Sequence, residues 1–271
     1  MDLFGETKTQ KSIEILQAFE PKQWYYLAFS GGKDSQCVYH LAKMAGVKFD
    51  AHYNLTTVDP PELVWFIRRN YPDVQIHRPE KTMWQLIIEK RMPPTRLVRY
   101  CCEYLKEGGG ERRIVITGVR WAESTKRKNQ RTLIELNAYS SLATMYNYDN
   151  RDARKRLEVC PTKGKHILNP IINWSDTDVW EFLNSNNIEH CVLYDKGYKR
   201  MGCVGCPMST KAKNELENYP RIKAQYIRTF QKMYDKRVAD GLITDKWKCG
   251  KDVYDWWVNN QKKQETCEQL F

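Results

Sequence analysis

Hydrophobic and polar positions alternate between two periods along most of the chain, and that alternation outlines the architecture. Ile13, Ile15, Leu16 and Phe19 fall on one side of a short amphipathic helix over residues 8–20. The apolar run Trp24-Tyr25-Tyr26-Leu27-Ala28-Phe29 predicts a buried strand. Cys37, Val38, Leu41, Ala42 and Met44 then recur at helical spacing until Gly46 stops the run. Residues 49–55 predict a second strand. A proline in the first turn opens the next helix, through Leu63, Trp65, Phe66 and Ile67. A third strand falls at 74–77, a third helix at 83–91 and a further strand at 113–118. Residues 167–172 read as a short strand or extended segment. Ser175 with Asp178 three residues on forms a capping box that opens a helix over 179–184. The carboxylates of Asp176 and Asp178 therefore read as structural. Residues 132–165 are irregular, polar and basic, the composition of a loop that closes over substrate or of a surface excursion.

Strand and helix alternating at short spacing predict an α/β fold built on a doubly wound, mostly parallel sheet. The expected organisation is a nucleotide-binding domain over residues 1–210, carrying the cysteine segments, and a helical C-terminal extension over 211–271. Tyr219, Tyr226, Phe230, Tyr234, Trp247, Tyr254, Trp256 and Trp257 in that extension predict a packed core or a homodimer surface, with base stacking as the less favoured reading.

Ligands bind such sheets beyond the C-terminal ends of the strands, which makes the segments after each strand the places to look. The first is Ser30-Gly31-Gly32-Lys33-Asp34-Ser35, between a strand and a helix. Glycines let the backbone approach a phosphate, and free N–H groups and the helix dipole point at it. Neither the Walker A spacing nor G-x-G-x-x-G is present. The second segment offers Thr56, Thr57 and Asp59 as adenosine contacts, although Asp59 reads equally as a helix cap. The third brings Gly118, Arg120 and Arg127 to the sheet edge, where a guanidinium presents a planar fork to phosphate or sulfate. An ion pair with Glu123 is the alternative for those arginines.

Charge and composition sharpen this picture. The net charge is +11, and between Lys90 and Arg131 there are 12 basic residues against 4 acidic. Residues 151–156 add a second basic cluster, so nucleic acid joins the small nucleotides as a candidate partner. A 41% hydrophobic content suits a sizeable core. No segment has the length or apolarity of a membrane span, and Met1-Asp2-Leu3 opens no signal peptide, so a cytoplasmic protein is expected. In that compartment nine cysteines point to metal or thiol chemistry rather than disulfides. Cys203-Val204-Gly205-Cys206 is a C-x-x-C, Cys101-Cys102 an adjacent pair suited to two corners of an iron–sulfur cluster, and Cys160 a fifth candidate.

The Ser-Gly-Gly-Lys-Asp-Ser hexapeptide resembles the phosphate loop of the PP-loop (ATP-pyrophosphatase, adenine nucleotide α-hydrolase) superfamily. Within it, the chain from about residue 24 to 210 resembles the adenylyl-sulfate and phosphoadenylyl-sulfate reductases. The likeness rests on Cys101-Cys102-x-x-Leu105-Lys106, Gly118-x-Arg120-x-x-Glu123-Ser124 and Asn169-Pro170-Ile171-Ile172-x-Trp174. It extends through Asp178-Val179-Trp180, Leu193-Tyr194-Asp195-x-Gly197-Tyr198 and Gly202-Cys203. The resemblance implies an adenine nucleotide α-hydrolase-like fold, with Ser30 to Ser35 on phosphate or sulfate oxygens. It implies a four-iron four-sulfur cluster on Cys102, Cys203 and Cys206, with Cys101 or Cys160 as the fourth ligand. The family's reductases carry a Glu-Cys-Gly-Leu-His motif that supplies the attacking thiol. This sequence has none, its nearest thiols being Cys249 and Cys267. The leading expectation is therefore cleavage of ATP–Mg²⁺ at the α-phosphate, with Lys33, Asp34, Arg120 and Arg127 as catalytic residues. It activates an acceptor for sulfur transfer from a thiol or sulfur donor. Reduction of adenylyl or phosphoadenylyl sulfate is the near-equal alternative, and a non-catalytic nucleotide- or nucleic-acid-binding component is the third.

Overall fold

The structure, a computed structural model, describes residues 7–135, 166–242 and 246–259. Cys160, the basic run at 151–156, Cys267 and most of the 132–165 segment lie outside the described residues. Two compact units interleave along the chain. The first comprises Met1–Tyr53, Glu62–Ile76 and Gly109–Met201, and the second Asn54–Pro61, His77–Gly108 and Gly202–Phe271. This division differs from the boundary expected at 210: the cysteine segments group with the C-terminal helices. The reason is apolar patterning, since the strand-to-helix excursion around residues 83–87 buries Met83, Leu86 and Ile87 against that helical layer.

The first unit is built on a six-stranded sheet: β1 (Tyr25–Ala28), β2 (Phe49–Asn54), β3 (Gln75–His77), β4 (Ile114–Ile116), β5 (Ile134–Glu135) and β6 (His166–Leu168). The order is β3-β2-β1-β4-β6-β5. β1 pairs in parallel with β2, from Tyr25↔Phe49 to Ala28↔His52, and with β4 through Tyr26↔Val115 and Leu27↔Ile116. β6 is parallel to β4, and only the two-residue β5 runs antiparallel, against β6. The expected α/β, mostly parallel sheet is therefore present. Because the chain moves outward from β1 through β2 and β3, then returns to β4 on the other side, the order reverses between β1 and β4. That reversal opens a crevice at the C-terminal ends of these two strands.

Three helices position the first unit's functional loops: α1 (Lys8–Ala18), α2 (Lys33–Met44) and α3 (Pro61–Asn70). Leu16, Tyr25, Leu27, Cys37, Val38, Leu41 and Ala42 are fully buried, each large apolar side chain contributing about 1.5–3 kcal/mol. Tyr25 reaches the core without stranding its hydroxyl, which donates to Leu16 O at 2.9 Å.

In the second unit, α4 (Met83–Lys90) and α5 (Tyr100–Leu105) precede the C-terminal helices. The first unit adds α6 (Thr125–Gln130) and α7 (Asp176–Ser185), and the C-terminal helices are α8 (Ala212–Asn218), α9 (Pro220–Ala239) and α10 (Gly250–Asn259). α9 packs on α10 and α4. The C-terminal aromatics form a core: Tyr226 and Phe230 lie 4.9 and 5.4 Å from the Trp257 ring, whose Nε1 donates to Pro94 O at 2.7 Å. Gly250 permits the close helix crossing, because a Cβ there would lie 2.3 Å from Gln231 N.

Near the C-terminal end of α2, His40 is half-buried with Nε2 3.2 Å from Tyr71 Oη. Burial lowers its pKa to about 4, with Lys43 adding to the effect and Asp73 opposing it. A histidine held neutral in the fold stabilises fully above its unfolded value near 6.5, and that stability is lost as pH falls from there towards 4. His40→Gln should shrink the loss of unfolding free energy between pH 7 and pH 5 by on the order of 1 kcal/mol, read by urea titration. An unchanged loss would contradict this assignment.

Candidate functional site

The crevice is lined first by the turn between β1 and α2. Gly31 takes φ +69°, and a Cβ there would come within 2.7–2.8 Å of the Ile67 and Leu63 side chains. Only glycine meets both demands. The Ser35 hydroxyl donates to Gly32 O at 2.9 Å and accepts from Ser30 N at 3.2 Å, with Ser30 Oγ 3.1 Å away, so the two serines tie the turn into a closed loop. Gly32, the N-cap of α2, offers no side chain to the exposed amides. The amide of Lys33 instead donates to the hydroxyl of Tyr194, 2.9 Å away on a loop 161 residues distant.

The segment after β4 closes the other wall. A Cβ on Gly118 would stand 2.7 and 2.8 Å from the backbone C and O of Asp34, so the two loops touch only because this residue is glycine. Two positions on, Arg120 is 1% exposed. Its Nε donates to Asp34 Oδ1 at 2.6 Å, Nη2 to Asp176 Oδ1 at 2.6 Å and Nη1 to Trp174 O at 3.1 Å. Lys33 Nζ lies 3.0 Å from Asp34 Oδ1 and 3.0 Å from Asp176 Oδ1. Two cations and two carboxylates thus form one charge-balanced group. Its two cations are buried, and the Asp176 side chain, 72% exposed, sits where solvent reaches it. Burial works to raise the Asp176 pKa, but the hydrogen bonds and charges of Lys33 and Arg120 outweigh it and hold the carboxylate below its usual value.

Arg127 pairs with Glu123, whose carboxylate also accepts from the Arg120 amide at 3.2 Å, so the ion-pair reading applies to Arg127. Burial lowers the Arg127 pKa, and the neighbouring Arg200 and Arg131 deepen that effect against Glu123. Arg120, expected as an open fork, is instead held by two carboxylates and the Trp174 carbonyl. The basic stretch is likewise consumed in part, with Arg113 paired to Asp50 and Arg131 to Glu135. Asp178 is the structural cap expected for α7, receiving Ser175 N at 2.6 Å. Asp176, by contrast, receives Arg120 and Lys33. Its role was hidden because a capping box accounts for an acidic first turn, and Tyr194 was hidden because nothing local marks it.

In the second unit, Cys101, Cys102, Cys203 and Cys206 line one pocket with Thr56, Met83, Leu105, Lys106 and Tyr226. Asp59 does not cap α3 through its side chain but turns back on Thr56, accepting from its N at 2.6 Å and Oγ1 at 2.8 Å. The Cys203 thiol donates to Thr56 Oγ1 at 3.3 Å. Arg99 Nη2 donates to Cys102 Sγ at 3.0 Å. The Cys101 thiol and then Arg99 hold Cys102 well below the usual thiol value, while its hydrogen bond to Cys102 and burial push Cys101 up. The sulfurs of Cys203 and Cys206 raise the Lys106 pKa and so favour its charged form. Among the described residues, no three His, Cys, Asp or Glu side chains converge to hold a single metal ion. The four sulfurs surround a pocket instead.

A parallel sheet with a glycine-rich turn leading into a helix at its switch point is the architecture of nucleotide-binding α/β proteins. Residues 25–209 match the family model of the phosphoadenosine phosphosulfate reductase domain. The chain belongs to that family, a nucleotide-binding family of sulfur metabolism. It is 26% identical over 220 residues to an uncharacterized protein of Methanocaldococcus jannaschii, covering 77% of this chain and 46% of that one. It therefore spans less than half the length of that relative. An adenosine 5'-phosphosulfate reductase of Oceanobacillus iheyensis is 26% identical over 229 residues, covering 76% and 81%. A solved phosphoadenylyl-sulfate reductase of Candida auris, in a phosphate complex, aligns at 17% identity with a TM-score of 0.47, over 74% of this chain and 90% of that one. No helix among the described residues is long and apolar enough to cross a membrane.

The contact at Gly118 is directly testable. Gly118→Ala should cost about 1–3 kcal/mol in urea unfolding by overpacking against the Asp34 backbone. A loss below about 0.5 kcal/mol would mean that the two loops are not in contact.

Proposed function

We propose that the chain binds ATP–Mg²⁺ at the Ser30–Ser35 loop and cleaves it at the α-phosphate, transferring adenylyl to an acceptor that is then thiolated. One observation carries this reading: Lys33 stands at the first turn of α2 between two carboxylates, Asp34 and the exposed Asp176. A polyphosphate that carries Mg²⁺ meets such a mixed site well, since Mg²⁺ is held by one or two carboxylates together with the substrate's own phosphates. In the step itself an acceptor oxygen bonds to the α-phosphorus as the bond to the bridging oxygen breaks. Pyrophosphate leaves with the electron pair. Lys33 and the loop amides stabilise charge on the phosphoryl oxygens, and Arg120, through Asp34 and Asp176, positions Lys33. A sulfur nucleophile then displaces AMP from the activated acceptor.

The thiol pocket fits this chemistry. Cys101, Cys102, Cys203 and Cys206 line one pocket, and four thiols are the donor number that a four-iron four-sulfur cluster takes. A bound cluster would supply electron transfer or a labile sulfide. Arg99 and Lys106 offset thiolate charge there. The acceptor class we favour is nucleic acid, on the chain's +11 charge.

The second reading, reduction of adenylyl or phosphoadenylyl sulfate to sulfite, is favoured by the name of the Oceanobacillus relative, 81% of which this chain covers. Anaerobically purified protein should release pyrophosphate from ATP–Mg²⁺ when RNA or DNA is supplied, and AMP as well once sulfide is added as the sulfur nucleophile. Lys33→Ala should lower that rate on the order of 10²-fold. Thiol-dependent sulfite from a sulfonucleotide would replace this reading with the reductase. Nucleotide binding without either product would leave a non-catalytic component.

A further inference from the structure

The first amide of α2 is where an anion would be received, and a tyrosine already occupies it. Lys33 N donates to Tyr194 Oη at 2.9 Å, and the same hydroxyl oxygen lies 3.4 Å from where a Gly32 Cβ would be. Tyr194 is held there by its surroundings. Its ring meets Trp180 at 5.1 Å and 87°, and His190 at 6.0 Å and 70°. Its own backbone belongs to a tight turn, with Tyr194 N on Cys191 O, Gly197 N on Tyr194 O and Tyr198 N on Leu193 O, each at 3.0 Å. Cys191 and Leu193, 0% and 1% exposed, anchor that turn. The hydroxyl is therefore placed by a rigid support rather than by a free side chain.

An oxygen that accepts from an amide keeps its own proton for a second partner. Burial, opposed by the Lys33 amide and aided by the nearby Asp34 charge, pushes the Tyr194 pKa up, so that proton is present at neutral pH. We propose that Tyr194 is a phosphate-contacting residue: its hydroxyl holds the Lys33 amide and donates to a non-bridging oxygen of the phosphate bound in the Ser30–Ser35 loop. It extends the loop's donor set from the backbone to a side chain from a loop 161 residues away. The loop thereby distinguishes a phosphorylated ligand from a bare nucleoside. This inference rests on the Ser30–Ser35 loop being the phosphate site.

Calorimetric titration of the full chain and of Tyr194→Phe with adenosine, inorganic pyrophosphate and ATP separates the outcomes. The phenylalanine keeps the ring contacts and removes only the oxygen. We expect pyrophosphate and ATP to bind about 10-fold more weakly to the variant, with adenosine within about twofold of the parent chain. Unchanged or tighter pyrophosphate binding would overturn the proposal, the tighter case marking Tyr194 as a cap that must be displaced. An equal loss for all three ligands would reduce Tyr194 to a structural role and overturn it too. Failure of the underlying reading is seen in the parent chain, as no preference for pyrophosphate or ATP over adenosine. Should the variant not fold, the ¹³Cζ resonance of Tyr194 in the parent chain must move on adding pyrophosphate, and a fixed resonance refutes the contact.

Discussion

A guanidinium that cannot lose its proton and is 1% exposed constrains everything around it. Arg120 needs carboxylates within hydrogen-bond reach, because leaving such a charge unpaired in the interior costs about 3–5 kcal/mol. Asp34 comes from the first turn of α2 and Asp176 from the first turn of α7, where helix dipoles also favour acids. The same two carboxylates receive Lys33. One buried cation therefore fixes three chain segments at the crevice between β1 and β4. It also explains Gly118, since a side chain two residues before Arg120 would push the Asp34 backbone away. The Ser30–Ser35 loop is thus shaped less by its glycines alone than by the charge that stands behind it.

The second unit solves a different problem, that of bringing four thiols to one pocket. Cys101 and Cys102 sit on the six-residue α5, and Cys203 and Cys206 on a turn stitched by Cys206 N donating to Cys203 O at 3.2 Å and Val204 N to Val58 O at 2.9 Å. Neither segment has much regular structure of its own. Their support is the aromatic core of α4, α9 and α10, where Tyr226 both lines the pocket and meets the rings of Trp257 and Trp84, the latter edge-on. The helices that look like an appendage in the sequence are what hold the cysteines together.

Much of this was legible from residue patterning, and the exceptions have physical causes. The Ser30–Ser35 turn was readable because an apolar strand, two glycines and a helical period are all local signals. The adjacent cysteine pair and the C-x-x-C stood out because close spacing is a local signal, and all four side chains line one pocket. The strand order was not, since periodicity reports which residues are buried but not which strand lies beside which. The interleaved units were hidden for the same reason, as chain order is a poor guide to which apolar faces meet. Asp176 looked like a cap because its neighbours Ser175 and Asp178 do form one, and Arg120 looked like an open ligand because its carboxylate partners lie 86 and 56 positions away.

The most direct test of the ionic constraint is a double-mutant cycle. Unfolding free energies of the parent chain, Arg120→Met, Asp34→Asn and the double variant would be measured in urea at neutral pH. If the four groups form one network, the single losses will fail to add, with a coupling of about 1–3 kcal/mol. Additivity within about 0.5 kcal/mol would contradict the account and leave Arg120 and Asp34 as independent residues.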